Sequence, residues 1–251
     1  MNIELLNRFG AGSANDSSNK HLWLKGASLI IDQFEQLIRK MDSAFSFEIL
    51  DISIFKNDNA DKLGKILGKN GSDKSTRHNY NILYSYILNE FNDEKINMLE
   101  IGMGTNNPNL VSTMGYKGIP GASLYAFKEY NPNANVYGAD IDKKILFNED
   151  RIKTCYVDQL DEKSFANLEK TFGKIEYDLI IDDGLHSIGA NFNTLLFALD
   201  NIKVNGWIVI EDIHLPENWF SINYILSKNK NFKTYLIKSS VSHLFCIKKL
   251  N

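Results

Sequence analysis

The chain has 251 residues, of which 43% are hydrophobic and 24% charged, and its formal net charge at pH 7 is -3. This composition is typical of a globular domain with a sizeable core, and a negative balance gives no electrostatic reason to expect a nucleic-acid partner. No signal peptide is evident at the start and no apolar run approaches the roughly 18 residues of a membrane span, so we expect a cytoplasmic protein.

The first part of the chain, residues 1–94, predicts an N-terminal appendage. A polar, glycine-containing arm over residues 1–25 has few periodic apolar positions, and we expect it to be dispensable for the fold. Ala27–Met41 carries apolar residues at helical spacing, which predicts an amphipathic helix that packs on the core or on a second subunit of a homo-oligomer. Further segments predict one strand and two helices: Phe47–Phe55, Asp61–Leu67 and Asn79–Phe91.

From Lys95 onward, apolar strands alternate with helices. The predicted strands are Ile96–Ile101, Asn135–Ala139, Ile152–Val157, Tyr177–Ile181 and Trp207–Ile210, and the helices are Ser123–Tyr130, Glu162–Thr171 and Phe192–Leu199. This alternation predicts right-handed βαβ units in a Rossmann-like, doubly wound, mostly parallel α/β sheet. The tail segments Phe232–Ser239 and His243–Lys249 can pair as a hairpin and add an antiparallel edge strand. We therefore expect a mostly helical cap or oligomerisation segment over residues 1–94 and a ligand-binding domain over residues 95–251.

Acidic residues lie at the carboxyl end of every predicted parallel strand. They are Glu100, Asp140, Asp158, the pair Asp182-Asp183 and the pair Glu211-Asp212. In an open α/β sheet, ligands bind beyond these strand ends, near the point where the strand order reverses. The distribution of carboxylates therefore predicts a functional site along this edge.

Gly102 and Gly104 follow the first strand of the alternating region, where glycines allow close approach of a ligand to the backbone. A dinucleotide site needs a third glycine three residues later, but Asn107 stands there. The acidic Glu100 beside the glycines favours a cationic ligand over a diphosphate. S-adenosylmethionine fits, because it carries an ammonium and a sulfonium.

The next two strand ends fit the rest of that cofactor. Asp140 can accept hydrogen bonds from two ribose hydroxyls, and Asp158 with the backbone of Gln159 can recognise the amino edge of adenine. Each residue also has a structural alternative, since Glu100 can be a solvated strand end, Asp140 a helix cap and Asp158 a turn residue. The set together favours the cofactor site.

A second cluster of acidic residues with a histidine predicts a catalytic site. Asp183 and His186 follow one strand, and Glu211 and Asp212 end the next. Carboxylates from neighbouring strand ends can hold a hard divalent cation, and the two cysteines of the chain lie elsewhere in the sequence. A hydroxyl on such a cation loses its proton more readily, and His186 can accept it. The structural alternative makes Asp183 a helix cap and His186 a surface residue.

The stretch from Gly71 to Ile213 resembles the metal-dependent sugar O-methyltransferases of the macrocin and mycinamicin type. The matching segments are Gly71-Ser72-Asp73-Lys74 with His78, Tyr80 and Tyr84; Leu99-Glu100-Ile101-Gly102; Gly121-Ala122-Ser123-Leu124; Gly138-Ala139-Asp140-Ile141; Asp158-Gln159; Asp182-Asp183-Gly184-Leu185-His186; and Ile210-Glu211-Asp212.

The resemblance implies a class I methyltransferase fold, magnesium held partly by Asp183 and Asp212, and His186 as the general base. It also implies that the Gly71–Tyr84 segment helps to close the active site. We add Ser123 and Asp182 to the expected cofactor residues and Glu211 to the expected metal ligands. The expected acceptor is a sugar or phosphorylated small molecule of bacterial capsule, surface-glycan or natural-product biosynthesis.

Three other functions are compatible with parts of the pattern. A nicotinamide-dependent sugar oxidoreductase commonly uses a Tyr-x-x-x-Lys pair, which occurs only at Tyr224 and Lys228. A metal-independent N-methyltransferase acting on a small phosphorylated amine would keep its activity in a chelator. A non-catalytic module would bind the cofactor without turnover.

Overall fold

The computed structural model describes residues 33–43, 45–91 and 94–251. Within these ranges, nine strands form one sheet in the order β1-β8-β9-β7-β6-β2-β3-β5-β4. The strands are β1 (Ile49–Asp51), β2 (Asn97–Ile101), β3 (Asn135–Asp140), β4 (Asn148–Glu149), β5 (Ile152–Tyr156), β6 (Tyr177–Asp182), β7 (Ile202–Ile213), β8 (Phe232–Lys238) and β9 (His243–Lys249).

The central strands are parallel, and β2 lies between β3 and β6. The chain leaves β2 for β3 and β5 on one side of the sheet and then returns to β6 and β7 on the other. The strand order therefore reverses at β2, and the crevice beyond its carboxyl end is where a ligand is expected in such a sheet.

The predicted C-terminal hairpin is present, with β8 and β9 antiparallel along their whole length. The antiparallel strand β9 lies inside the sheet between β7 and β8, and the edge position belongs to β1, which pairs with β8 in parallel. This differs from the expected antiparallel edge strand because the short strand at Ile49–Asp51 covers the free side of β8.

Helices cover both faces of the sheet. They are α1 (residues 33–41), α2 (Ala60–Asn70), α3 (Asn81–Asn89), α4 (Ala122–Tyr130), α5 (Ala166–Phe172), α6 (Ile188–Asn201) and α7 (Phe220–Ser227). One apolar cluster joins Leu63 and Leu83 of the first part of the chain to Met98 of β2, and a second cluster fills the opposite face. The α2–α3 segment thus shares a core with the sheet that follows it.

The largest differences between predicted and observed strands occur at two places. Phe47–Phe55 was expected to be one strand, but only Ile49–Asp51 is extended, and Ile52–Phe55 forms a 3-10 turn because the Asp51 carboxylate accepts the Ser53 N–H. The strand expected at Trp207–Ile210 is longer and ends at Ile213 as β7.

The arm expected over residues 1–25 and the beginning of the helix expected at Ala27–Met41 lie outside the described residues, although residues 33–41 are helical. In the described part of the chain, no helix is both long and apolar enough to cross a membrane. Cys155 and Cys246 are buried free thiols.

Candidate active site

Four carboxylates from two adjacent strands meet at the carboxyl edge of the sheet. Asp182 is fully buried at the end of β6, and Glu211 is 1% exposed in β7. Their chain neighbours are more open, with side-chain exposures of 27% for Asp183 and 19% for Asp212. Neighbouring residues of each pair therefore have different environments.

The segment after α2 places Lys74 among these carboxylates. Gly71 ends α2 in the left-handed conformation (φ 88), and the Asp73 carbonyl then accepts N–H groups from the next turn. The Lys74 ammonium lies 2.6 Å from Asp183 Oδ2, 2.7 Å from Glu211 Oε2 and 3.2 Å from Glu100 Oε1. One cation thus joins carboxylates from three strand ends.

Two hydroxyl groups bind the carboxylate oxygens of Glu211 and Glu100 that do not contact Lys74. Tyr84 donates a hydrogen bond to Glu211 Oε1, and Ser123 donates to Glu100 Oε2 at 2.5 Å. Burial raises the pKa of Glu211 and of Glu100, and the Lys74 charge only partly offsets this. Burial alone lowers the pKa of Lys74, but the three carboxylates outweigh it and raise the pKa well above its usual value.

Asp212 is held from the other side. Its Oδ1 accepts hydrogen bonds from Tyr80 at 2.5 Å and from Ser242 at 3.0 Å, and it lies 3.4 Å from His78 Nδ1. Although burial raises the pKa of Asp212, the Tyr80 hydrogen bond and the neighbouring histidines outweigh burial and lower the pKa.

His186 faces the free oxygens of the two open carboxylates. Its Nε2 lies 3.9 Å from Asp183 Oδ1 and 3.8 Å from Asp212 Oδ2. Among the residues that the structure describes, these three form the group whose ligand atoms, all within 4.8 Å of one another, could hold a metal ion.

The backbone is unusual at two members of this group. His186 has φ 55 and Asp212 has φ 53, which non-glycine residues seldom adopt. Asp212 also lies where the pairing of β7 with β9 changes register between Ile210 and Ile213. Bulges of this kind re-aim a side chain beside a site, and retained strain of this kind is concentrated at functional sites.

A pocket of about 190 Å³ opens beside this group at the end of β2. Its walls include Gly102, Asp140, Asp158, Gln159 and Leu185, together with residues 109–112 of the loop before α4. The structure therefore brings together, in one pocket, Gly102 and three of the polar residues expected to bind a cofactor, whereas Gly104 is not among its walls.

Asp140 is a fixed wall of this pocket. Its two oxygens accept the N–H groups of Met103 and Asp142, both at 2.8 Å, so the carboxylate shapes the loop after β2. Burial raises the pKa of Asp140, whereas these hydrogen bonds lower it in part. Asp158 makes a turn by accepting the Leu160 N–H at 2.9 Å.

Gly102 allows two segments of the site to approach closely. A Cβ at Gly102 (φ 92) would overlap the backbone of Asp183 and Gly184, and a Cβ at Gly104 would overlap the Met114 side chain. Gly102 therefore has a packing role beyond the ligand access expected from the sequence, because it brings the β6 loop against the β2 loop.

Asp182 and the Gln159 side chain form a brace under the site. Gln159 Nε2 donates to Asp182 at 2.8 Å, its Oε1 accepts the Leu185 N–H at 2.8 Å, and Asn191 donates to the other Asp182 oxygen at 3.1 Å. Burial raises the pKa of Asp182, and the hydrogen bonds from Asn191 and Gln159 oppose the rise. These contacts fix the turn that carries His186.

Several expected ligands have protein partners. Glu100 and Ser123 bind each other and Glu100 pairs with Lys74, while both Glu211 oxygens are engaged by Lys74 and Tyr84. Glu211 is accordingly outside the three-residue group that could hold a metal, although it adjoins Asp212. The direct cofactor and metal roles of these residues stay predictions.

The sequence pattern predicts no individual role for four residues of the cluster: Lys74, Tyr80, Tyr84 and Ser242. The first three belong to the matching Gly71–Tyr84 segment. The pair Tyr224 and Lys228, which an oxidoreductase would use, instead binds Asp42, at 2.7 Å and 3.3 Å. Neither residue of this pair lines the pocket.

The chain is similar to curated sugar O-methyltransferases. It is 34% identical over 148 residues to the 8-demethyl-8-alpha-L-rhamnosyl tetracenomycin-C 2'-O-methyltransferase of Streptomyces olivaceus, covering 58% of this chain and 36% of that protein. It is 32% identical over 133 residues to the mycinamicin VI 2''-O-methyltransferase of Micromonospora griseorubida, covering 52% of this chain and 30% of that protein. The chain thus spans about a third of the length of these relatives.

Among solved structures, it is similar to the MycE methyltransferase from the mycinamycin biosynthetic pathway in complex with Mg and SAH. The TM-score is 0.60 at 21% identity, over 78% of this chain and 55% of that chain. The chain has the class I methyltransferase fold. This confirms the expected fold class. The relatives found by sequence confirm the resemblance of the chain to sugar O-methyltransferases of the macrocin and mycinamicin type. No protein-family model matches the chain.

Proposed function

We propose that the chain is an S-adenosylmethionine-dependent O-methyltransferase that acts, with a divalent cation, on a hydroxyl of a sugar-like small molecule. The observation that carries the proposal is the group Asp183, His186 and Asp212 beside a pocket at the end of β2. The similarity to sugar O-methyltransferases supports the reaction class.

The donor set fits a hard divalent cation. Asp183 Oδ1 and Asp212 Oδ2 are carboxylate oxygens, while their second oxygens are held by Lys74 and Tyr80. Magnesium prefers few carboxylates and keeps open positions for other oxygens, and protein groups behind the ligands fix their direction. A cation bound there would lower the pKa of an acceptor hydroxyl.

The side chains then have separate tasks. Asp183 and Asp212 would orient the cation and with it the acceptor. His186 would accept the hydroxyl proton, because its Nε2 lies beside both free carboxylate oxygens. The walls at Asp140, Asp158 and Gln159 would hold the ribose and adenine of the cofactor, so that its methyl group faces the hydroxyl.

The surroundings favour a neutral acceptor group. Besides the buried Asp182, the site carries four carboxylates, and its buried lysine is already paired with three of them. The four are Glu100, Asp183, Glu211 and Asp212. The three positive charges of Lys74 and a divalent cation would not balance four charged carboxylates, so a neutral sugar hydroxyl is a better acceptor than a phosphorylated one. We place the reaction in bacterial capsule, surface-glycan or natural-product biosynthesis.

Calorimetry and a transfer assay test the proposal. We expect one S-adenosylhomocysteine per chain and no binding of NAD. A screen of sugar acceptors with methyl-labelled cofactor should give transfer that stops on chelation with EDTA and returns with Mg²⁺. Transfer that survives EDTA would contradict the metal-dependent mechanism and favour an amine acceptor. Cofactor binding without transfer to any acceptor, with or without Mg²⁺, would favour a binding module.

A further inference from the structure

The Lys74 ammonium occupies a position at which a cation would otherwise be expected. Oxygens of Asp183, Glu211 and Glu100 lie 2.6, 2.7 and 3.2 Å from its nitrogen, and the side chain is 2% exposed. Several carboxylate oxygens converging on one enclosed point are the ligands that hard divalent cations take. We call this point the inner position, and the space between Asp183 Oδ1 and Asp212 Oδ2 the outer position.

We propose that Lys74 is a positioning residue: its ammonium fills the inner position and thereby confines a divalent cation to the outer position, next to His186. This inference rests on the metal site of the proposed function. It assigns to Lys74 a role in deciding where the cation binds, separate from the roles of the side chains that would hold it.

A role limited to stability explains the arrangement poorly. Buried ion pairs are weak evidence for stability, because the cost of desolvation can exceed the attraction between the charges. Here a single ammonium faces three carboxyl groups, and burial raises the pKa of Glu211 and of Glu100, which shows that their charged forms are costly in this cluster. Tyr84 and Ser123 engage the remaining oxygens of Glu211 and Glu100. Such a set attracts cations, and the lysine is the cation already present.

Asp183 connects the two positions. Its Oδ2 contacts Lys74, whereas its Oδ1 lies toward His186. A divalent ion that moved into the inner position would bind the same carboxylate from its enclosed side. An acceptor hydroxyl could not then contact both the ion and His186, because the inner position is surrounded by protein.

Mn²⁺ binding to the full chain, without cofactor or acceptor, tests the proposal. The parent should bind one Mn²⁺ in the outer position. Lys74→Ala removes a positive charge and leaves space, so its affinity for Mn²⁺ should rise about tenfold or more. The electron paramagnetic resonance spectrum should also change, and water relaxation should fall, because an enclosed ion keeps fewer water ligands.

Two additions distinguish this role from a structural one. n-Propylammonium replaces the missing part of the side chain and should return the Mn²⁺ affinity of Lys74→Ala toward that of the parent. Methyl transfer by Lys74→Ala should fall even though the ion binds more tightly. If Lys74 only stabilised the fold, n-propylammonium would not compete with Mn²⁺. Tighter metal binding would then not accompany slower turnover.

Lys203→Ala is the matched control, since Lys203 pairs with Asp178 at 2.8 Å near the opposite end of β6. It should leave Mn²⁺ binding unchanged. If Lys74→Ala does not fold, the same change is made in Glu211→Gln, which carries one charge fewer. Addition of Lys74→Ala to that background should again raise the affinity for Mn²⁺.

The outcomes separate the two proposals. Weaker Mn²⁺ binding by Lys74→Ala, or unchanged binding that n-propylammonium does not affect, would overturn the role of Lys74. A parent chain that binds no Mn²⁺ would instead contradict the metal site of the proposed function.

Discussion

The two pairs of adjacent carboxylates, Asp182-Asp183 and Glu211-Asp212, each consist of one buried and one more exposed residue. In each pair one member is closed, since Asp182 and Glu211 are buried and both of their oxygens accept hydrogen bonds from protein groups. The other member is open, because Asp183 and Asp212 each have one oxygen held and one facing His186. Residues of the same chemical type, adjacent in sequence, therefore have different surroundings. The closed member supports the site, and the open member is available to a ligand.

Replacement of His186 should reduce turnover strongly. His186→Ala removes the group proposed to accept the hydroxyl proton, so kcat should fall by about 10²–10⁴ while affinity for S-adenosylhomocysteine stays unchanged. Steady-state kinetics at saturating Mg²⁺ and calorimetry give the two quantities.

His214→Ala, an exposed histidine shortly after β7, is the control and should be fully active. The affinity for Mg²⁺ separates two roles that the geometry allows for His186, since its Nε2 is also within reach of a metal ligand position. Unchanged affinity supports the general base. A large loss of affinity would make His186 a metal ligand instead.

The Asp182 and Asp183 pair tests the comparison directly. Asp183→Asn removes a charge from a side chain proposed to hold the cation, so Mg²⁺ affinity should fall by at least about tenfold with little change in melting temperature. Asp182→Asn places an amide against the donors of Gln159 and Asn191, so it should lower the free energy of unfolding by about 1–3 kcal/mol. Calorimetry and urea unfolding of both variants measure these changes. If Asp182→Asn mainly lowered Mg²⁺ affinity and Asp183→Asn mainly lowered the free energy of unfolding, the division into closed and open members would be refuted.

Asp140 combines features of both kinds, since its oxygens accept backbone N–H groups and its side chain lines the pocket. Asp140→Ala should weaken S-adenosylhomocysteine binding by about 1–3 kcal/mol, the range for a lost charged hydrogen-bond acceptor. Mg²⁺ affinity should not change. Calorimetry that finds the cofactor affinity unaltered would remove Asp140 from the cofactor site.

Of these substitutions, Tyr80→Phe should have the smallest effect, and the effect should be on the free energy of unfolding. The Asp212 carboxyl has a lowered pKa, partly through the Tyr80 hydrogen bond, so its charged form stabilises the fold above the ordinary carboxyl pKa of about 4. This contribution is lost as the pH falls through the lowered pKa. Tyr80→Phe should therefore cost about 1–2 kcal/mol at neutral pH and progressively less on acidification. Urea unfolding across this pH range measures the difference, and a pH-independent cost would contradict the link to Asp212.

Much of the fold and the place of the site could be predicted from the sequence. Apolar strands separated by helices determine a parallel sheet, and the carboxyl ends of such strands share an edge. Clustering of Glu100, Asp183 and Glu211 followed from that geometry, and the structure brings them together around one lysine.

The division within each pair could not be predicted in the same way. Adjacency predicts that Glu211 and Asp212 are both metal ligands, but the irregular pairing near the end of β7 turns them to different surroundings. Lys74 precedes the alternating region, and lysines are almost never fully buried unless paired. Its partners are distant in sequence, so no local pattern shows that it points inward.

Those distances have a consequence for the engineering of the chain. Lys74 is separated from Asp183 by 109 positions and from Glu211 by 137, and the closure of such long loops depends only weakly on their length. A doubling of the length of the intervening chain adds only about 0.6 kcal/mol to the entropic free-energy cost of loop closure. The turn at Gly173 lies between these partners and has open space around it. A peptide tag or a small domain inserted there should therefore leave the carboxylate cluster able to assemble.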